Sequence, residues 1–355
     1  MRVPLGILAE HIGRKSAAIL GMVLTSLALL YGWLFVSDYP EILMMGILLG
    51  IAGASFGVGL SLGSSSYPPE YKGLAMGIVG AGNSGTALAA LFGPLLAQRY
   101  GWNAVYGLAV LPLLGALVFL SMFAQESPAQ ETKHWIDYFK ILFEKDVWIF
   151  SLIYVVTFGG FIGLANFLPT FFYDEFGMSK IKAGQLAAGI VLMGGIVRMV
   201  GGYCADAIGG TRTLTHVFIL IMVGLVLCAF FPSIYACTFV LLVIFAGLGI
   251  GNGAIFQLVP LRFSYSTTVA SSLIGAIGAL GGAFIPPVMG ISKQATASFT
   301  GGFLSFGLLT LIAFTVFKMR QKHWVHDWMD ADGKALRPRE GRVQMFPVIP
   351  VMEIY

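Results

Sequence analysis

Residues 198–209 read Arg198-Met-Val-Gly-Gly-Tyr-Cys-Ala-Asp-Ala-Ile-Gly209, and the chain opens with Arg2-Val-Pro-Leu-Gly-Ile-Leu-Ala-Glu-His-Ile-Gly13. At an offset of 196, Arg2 falls on Arg198, Gly6 on Gly202, Ala9 on Ala205, Glu10 on Asp206, Ile12 on Ile208 and Gly13 on Gly209. Chance is a poor explanation for six matches of this kind. Both copies share one physical grammar: a helix of small residues ends at an acid, and a tight glycine turn follows. Basic residues lie beyond it, Arg14 and Lys15 in the first copy and Arg212 in the second. Self-similarity at this distance points to two related halves. One recurring membrane plan relates two such halves by an axis along the membrane normal, with a site at mid-membrane between them.

The composition around the repeat agrees. The 355 residues are 57% apolar and 11% charged, with 46 glycines and a formal charge of +4. Mean hydropathy is +0.85. Soluble domains carry roughly 25% charged residues, so a soluble enzyme, a disordered chain and a nucleic-acid binder are excluded. What remains is an all-α polytopic membrane protein. Cys204, Cys228 and Cys237 lie in or beside apolar stretches without metal-like spacing. Neither a disulfide framework, a metal site nor a cofactor is expected.

A span needs about 20 mostly apolar residues. Ten stretches qualify: 17–36, 41–66, 74–97, 104–124, 147–173, 183–204, 214–233, 235–259, 268–291 and 300–317. Before them Met1–Leu8 reach about 12 Å as helix, less than half of a ~30 Å hydrocarbon core. The connections alternate in charge. One side carries Arg14, Lys15, Lys72, Lys133, Lys140, Lys145, Arg212, Arg262 and the basic residues after Lys318. Lys and Arg favour the cytoplasm, so this side and the C-terminus are expected to be cytoplasmic.

The longest polar break, 125–146, divides two bundles: an incomplete one over 1–124 and a six-helix one over 147–317. A cytoplasmic tail follows over 318–355. Within the break, Trp135, Phe139 and Leu142 share a helical face beside Lys133, Asp137, Lys140 and Glu144. That pattern predicts a short interfacial helix, against the rival reading of a solvated linker. Six spans in the second half call for six in the first. Ten full spans and a partial one are present where twelve are expected, so the sequence reads as N-terminally truncated by roughly 30–45 residues at about 20 per span.

Charge inside the spans is the next anomaly. An arginine at mid-membrane costs roughly 2.5–3.5 kcal/mol on insertion scales. Arg198 lies deep in the span 183–204, Arg2 holds the equivalent place, and no Asp, Glu or Lys lies near the middle of any span. Two cations related by pseudo-symmetry and lacking a countercharge describe an anion site. The bland alternative is arginines that snorkel or bond backbone carbonyls. The glycines of 77–85, 247–253 and 275–282 suit close helix packing. Packing alone does not account for the amides Asn83 and Asn252 among them.

Family resemblance enters at these residues. Gly6-Ile-Leu-Ala-Glu-His-Ile-Gly-Arg-Lys15 resembles the loop motif of the major facilitator superfamily, G-x-L-A-D-R-x-G-R-[RK], with Glu10 in place of Asp and His11 in place of the basic residue. Gly80-Ala-Gly-Asn83-Ser-Gly85 and Gly275 to Gly282 resemble the two nitrate signature segments of the nitrate/nitrite porter family within it. Tyr67-Pro-Pro-Glu70 and the segment Gly251 to Pro260 fit that family too. The resemblance implies a two-bundle major-facilitator-type fold in a bacterial-type inner membrane. It implies substrate contacts from Arg2, Arg198, Asn83, Tyr154, Phe158 and Phe56. Gly80, Gly82, Gly85, Gly275, Gly278 and Gly281 would line the pathway, and Glu10, Arg14, Asp206 and Arg212 would form the gating loops. It covers nearly the whole chain, from Arg2 to about Trp324.

The chemistry of these side chains suits a planar anion. A guanidinium presents coplanar donors to two oxygens, which an ammonium cannot. Phe56 and Phe158 could sandwich a flat ion, and the Tyr154 hydroxyl and Asn83 amide could donate further hydrogen bonds. Taken singly, these aromatics read as ordinary packing. The expected function is nitrate and/or nitrite transport by alternating access. Exchange is favoured slightly over proton symport, because no buried carboxylate lies in the spans; His216 sits near the end of its span. A monomer is expected, with the bilayer and nitrate or nitrite as partners, protons as the rival coupling ion, and no nucleic acid. No nucleophile–base pair or cofactor fingerprint supports an enzyme. The rival readings are a non-transporting remnant or half of a split carrier, and a facilitator for another small anion.

Overall fold

The computed structural model describes residues 2–64, 67, 71–126, 140–230, 233–264, 266–325 and 327–334, with the side chains of Arg2, Val3, Ala52, Ala54, Phe56, Ser64, Lys72 and Pro94 outside that description. Among them the chain is all α, apart from one isolated bridge between Val325 and Met329. The first bundle comprises α1 (Arg2–Ile12), α2 (Arg14–Leu34), α3 (Tyr39–Ala52), α4 (Phe56–Ser64), α5 (Lys72–Gly80), α6 (Gly85–Tyr100) and α7 (Trp102–Phe123). The second comprises α8 (Lys145–Tyr154), α9 (Gly160–Phe176), α10 (Lys180–Ile208), α11 (Gly210–Phe230), α12 (Ile234–Arg262), α13 (Thr267–Thr296) and α14 (Thr300–Trp324).

Nine helical stretches among the described residues are long and apolar enough to cross a membrane. They match nine of the ten expected spans. The tenth, 41–66, is divided into α3, a 3-10 turn over Gly53–Ser55 and α4. Six glycines from Gly46 to Gly63 weaken the helix there, each by about 1 kcal/mol relative to alanine. The span 74–97 is likewise divided, by a 3-10 turn over Ala81–Ser84 between α5 and α6. The span 147–173 continues through a π-helical turn, Val155–Gly159, between α8 and α9. In the break at 125–146, Trp135, Phe139, Lys133 and Asp137 lie outside the described residues, and Lys140–Phe143 forms a 3-10 turn.

The sequence repeat is also a repeat of backbone geometry. Gly13 has φ 92° and ψ 149°, and Gly209 has φ 98° and ψ 140°. A side chain with a Cβ rarely adopts that region, so both turns require glycine. Each reverses the chain within one residue, joining α1 to α2 and α10 to α11. The end of the molecule that carries both turns is the motif end.

Helices in lipid gain little from burying apolar surface against each other, so small residues and hydrogen bonds decide how they pack. The two bundles meet near the motif end along two lines of such residues. On one, α1 and α4 face α13: Ser61 and Thr268 share a hydrogen bond of 2.8 Å, and Gly6 and Gly57 both abut Ser272. On the other, α5 faces α10: Gly73 abuts Gly202, and Gly77 abuts the Arg198 carbonyl and Met199. The second bundle also has a polar fastening at this end. Asp146, 2% exposed, accepts hydrogen bonds from Arg262 Nε at 2.6 Å, Arg320 Nε at 3.0 Å and Trp324 Nε1 at 2.8 Å. One carboxylate thereby ties the start of α8 to the ends of α12 and α14.

Candidate functional site

Arg198 stands ten residues before the end of α10, about 15 Å along the helix and so about half the depth of a hydrocarbon core. It is 1% exposed, and so ranks among the largest fully buried side chains of the described protein. Its Nη2 donates to Tyr154 Oη at 3.5 Å. Its guanidinium carbon lies 5.7 Å from the centre of the Phe256 ring, within the range of a cation–π interaction. The Tyr154 and Phe158 rings stack at 4.7 Å with 7° between their planes, and Phe256 meets Tyr154 edge-on at 5.1 Å. The π-helical turn begins directly after Tyr154 and contains Phe158. Such single-turn insertions occur frequently at functional sites.

Glycines make room for this arrangement. A Cβ on Gly80 would overlap Arg198 Nε, and one on Gly278 would overlap the Tyr154 ring. Gly281 packs on the Val155 carbonyl at the start of the π turn. Arg198, Tyr154, Phe158, Gly80, Gly278 and Gly281 therefore gather at one seam position. Asn83 lies in the 3-10 turn between Gly80 and Ser84, and Ser84 abuts Gly195 of α10. Its Nδ2 is buried and has no hydrogen-bond partner among the described residues.

Other expected residues lie elsewhere. Gly82 lines a cleft of about 930 Å³ inside the first bundle, beside Ala18, Met22, Ser55, Gly59 and Val79. Gly85 has open space where a Cβ would stand, and Gly275 is buried on α13. Arg2 and Phe56 begin α1 and α4, and their side chains lie outside the described set. Among the described residues no cluster of His, Cys, Asp or Glu could hold a metal ion.

The two turns behave differently. Asp206 reaches from the second bundle to the first, where it accepts Gly73 N at 3.1 Å and Leu74 N at 2.8 Å. A carboxylate on the exposed N–H groups of a helix start is favoured by both hydrogen bonding and the helix dipole. Glu10, its counterpart, instead pairs within its own turn with Arg14 at 3.7 Å. Arg212 pairs with Asp332 at 3.9 Å.

The family model described as the Major Facilitator Superfamily matches residues 1–286. A nitrite extrusion protein of Bacillus subtilis is 31% identical over 319 residues, covering 89% of this chain and 80% of the relative. A protein described as a probable nitrate/nitrite antiporter of Thermus thermophilus is 29% identical over 95% of this chain and 84% of its own length. The chain belongs to the nitrate/nitrite porter family of the major facilitator superfamily. Solved structures with the same fold include the fucose:proton symporter of E. coli, with a TM-score of 0.73, 17% identity, and 90% of this chain and 87% of that one covered. The human organic anion transporter matches with a TM-score of 0.72 and 16% identity, over 89% and 80% of the two chains.

Within this member of the nitrate/nitrite porter family, Phe256 is the site residue that sequence reasoning passed over. It belongs to the quoted segment 251–260 and follows Asn252 by four residues on one helix face. That spacing from a buried amide was the available signal. Asn252 itself is 1% exposed, and its Oδ1 has no hydrogen-bond partner among the described residues.

Proposed function

We propose that this chain carries nitrate and nitrite across a bacterial inner membrane by alternating access, with the anion held at Arg198. One observation carries the reading: a fully buried guanidinium at mid-span, on the seam between two bundles, facing the Phe256 ring and bonded to the hydroxyl of Tyr154, on which Phe158 stacks. A guanidinium at that depth offers an anion both a full positive charge and several N–H donors. The guanidinium fork offers two parallel donors to two coplanar oxygens. A planar anion can take both donors of the fork in one plane, which a tetrahedral anion does with only two of its oxygens. Tyr154 Oη and Asn83 Nδ2 supply further donors. The names of the relatives, a nitrite extrusion protein and a nitrate/nitrite antiporter, point to the same substrates.

We take the motif end as the cytoplasmic end, which the charge bias of the connections favours. Closed seams there, held by Asp206 on the start of α5, correspond to a carrier shut towards the cytoplasm. Rocking the bundles about Arg198 opens that end and shuts the other. The test is nitrate and nitrite uptake into proteoliposomes by the wild-type chain and by Arg198→Lys. Lysine keeps the charge and loses the fork, worth about 1.5–3 kcal/mol for a hydrogen bond to a charged group, or about 10- to 150-fold in flux. Normal nitrate flux in the lysine variant would sink the guanidinium argument.

A further inference from the structure

The segment after the last helix of each bundle carries an acid that sits on that bundle's glycine turn. In the first bundle, Glu126 follows α7 and accepts Arg14 N at 2.7 Å and Lys15 N at 3.1 Å. In the second, the segment beyond α14 folds back across the start of α11. Arg212 N donates to the Asp332 carbonyl at 3.3 Å, and the Arg212 guanidinium pairs with the Asp332 carboxylate at 3.9 Å. The fold-back is built in. Asp330 Oδ1 accepts Asp332 N at 3.0 Å and Lys334 N at 2.8 Å, Gly333 has φ 91°, and Trp328 and Trp324 pack at 5.4 Å. Asp332 and Gly333 abut Gly209 and Thr211 so closely that no Cβ fits at either glycine.

In the first bundle the Arg14 guanidinium pairs with Glu10 in its own turn, and Glu10 makes no hydrogen bond or ion pair across the seam among the described residues. Asp332 takes the guanidinium of Arg212, while Asp206, six residues earlier, crosses to Gly73 and Leu74 of the other bundle. A carboxylate paired with its own turn's arginine is partly neutralised, and its pull on a helix start is weaker.

We propose that Asp332 is a positioning residue of the cytoplasmic gate: by holding Arg212 within the second bundle, it keeps Asp206 available to latch onto the first. This rests on the alternating-access reading above. It does not rest on nitrate as the substrate, because the test needs no substrate.

The test replaces Cys204, Cys228 and Cys237 by serine and adds Ser61→Cys, a buried seam position at the motif end. Inside-out vesicles are then labelled with a membrane-impermeant maleimide. Asp332→Asn frees Arg212 to pair with Asp206 and is expected to speed labelling about threefold, the scale of an exposed ion pair. Adding Arg212→Gln to Asp332→Asn removes the competitor and is expected to restore the parental rate. Asp332→Glu is expected to label as the parent does. Parental labelling of Asp332→Asn would overturn the proposal. So would a double variant that labels as fast as Asp332→Asn, since the tail would then act only by docking. If Asp332→Asn does not accumulate in the membrane, Arg212→Gln alone decides. Parental labelling supports the proposal, and faster labelling shows that Arg212 helps the latch and overturns it. If labelling follows these expectations while nitrate uptake is absent, only the substrate assignment falls.

Discussion

Arg198 is legible in the sequence because a charge in an apolar span has no cheap explanation there. Its neighbours are less so. Phe256 is one of 28 phenylalanines, and nothing local separates a ring that faces a cation from one that packs on lipid or core. Only the approach of α12 to α8 and α10 does that. Phe256→Leu keeps most of the volume and removes the ring face. A cation–π contact is worth about 0.5–2 kcal/mol, so the KM for nitrate is expected to rise about two- to thirtyfold with little loss of folded protein. An unchanged KM in the flux assay would show that the ring only packs. Gly80→Ala tests the opposite side of the guanidinium. Its Cβ would overlap Arg198 Nε, so the side chain must leave its slot. Transport is expected to fall at least about tenfold, the loss of one charge-assisted hydrogen bond, while insertion into the membrane stays normal. The sequence placed Gly80 in a signature segment. That this glycine touches the arginine follows only from the register of α5 on α10.

Hydropathy reads the length of a span and is blind to its interior. The π turn at Val155–Gly159 has the apolar character of the helices on either side, and the stretch still reads as one span. The 3-10 breaks at Gly53–Ser55 and Ala81–Ser84 lie where glycines cluster, so a signal existed, although glycine-rich spans also occur unbroken in α12 and α13. The seam between bundles depends on the same residue. A Cβ on Gly202 would overlap the Gly73 carbonyl, which is backbone and cannot swing aside. Gly202→Ala is therefore expected to hold the motif end open, and the Ser61→Cys label should react severalfold faster than in the parent. Parental labelling would show that the helices slide apart at no cost. Asp146 makes a different prediction. Removing one partner from a buried ion pair costs about 3–5 kcal/mol, and two arginines depend on this carboxylate. Asp146→Asn is expected to lower the thermal unfolding temperature in detergent while leaving the nitrate KM of the surviving protein unchanged. Hydropathy placed Asp146 only at the edge of a span, because its partners Arg262 and Arg320 are 116 and 174 residues away.

At the scale of the whole molecule, the repeat at offset 196 foretold two turns of one geometry, and it could not foretell that they are used differently. Asp206 crosses the seam, and Glu10 stays at home with Arg14. At the same scale we propose exchange over proton symport. A proton-coupled carrier needs a titratable group that changes charge beside the substrate. Among the described residues the one fully buried carboxylate is Asp146, and it is committed to Arg262 and Arg320 at the motif end. What the site does hold is the fixed positive charge of Arg198. On the proposed reading, the bound anion lowers the cost of carrying that charge through the closed, water-poor state, and each 1.4 kcal/mol is tenfold. Loaded, the site carries one net positive charge fewer, and the bundles can rock. On that reading an anion would then be needed on each leg of the cycle, which would be exchange. Proteoliposomes containing nitrite are accordingly expected to take up external nitrate at least about tenfold faster than proteoliposomes containing only sulfate. An imposed pH gradient, acid outside, should add no net uptake to the sulfate-loaded set. Net nitrate entry driven by that gradient without an exchangeable internal anion would mean that a proton neutralises the site instead, and the fixed-charge argument for exchange would fail.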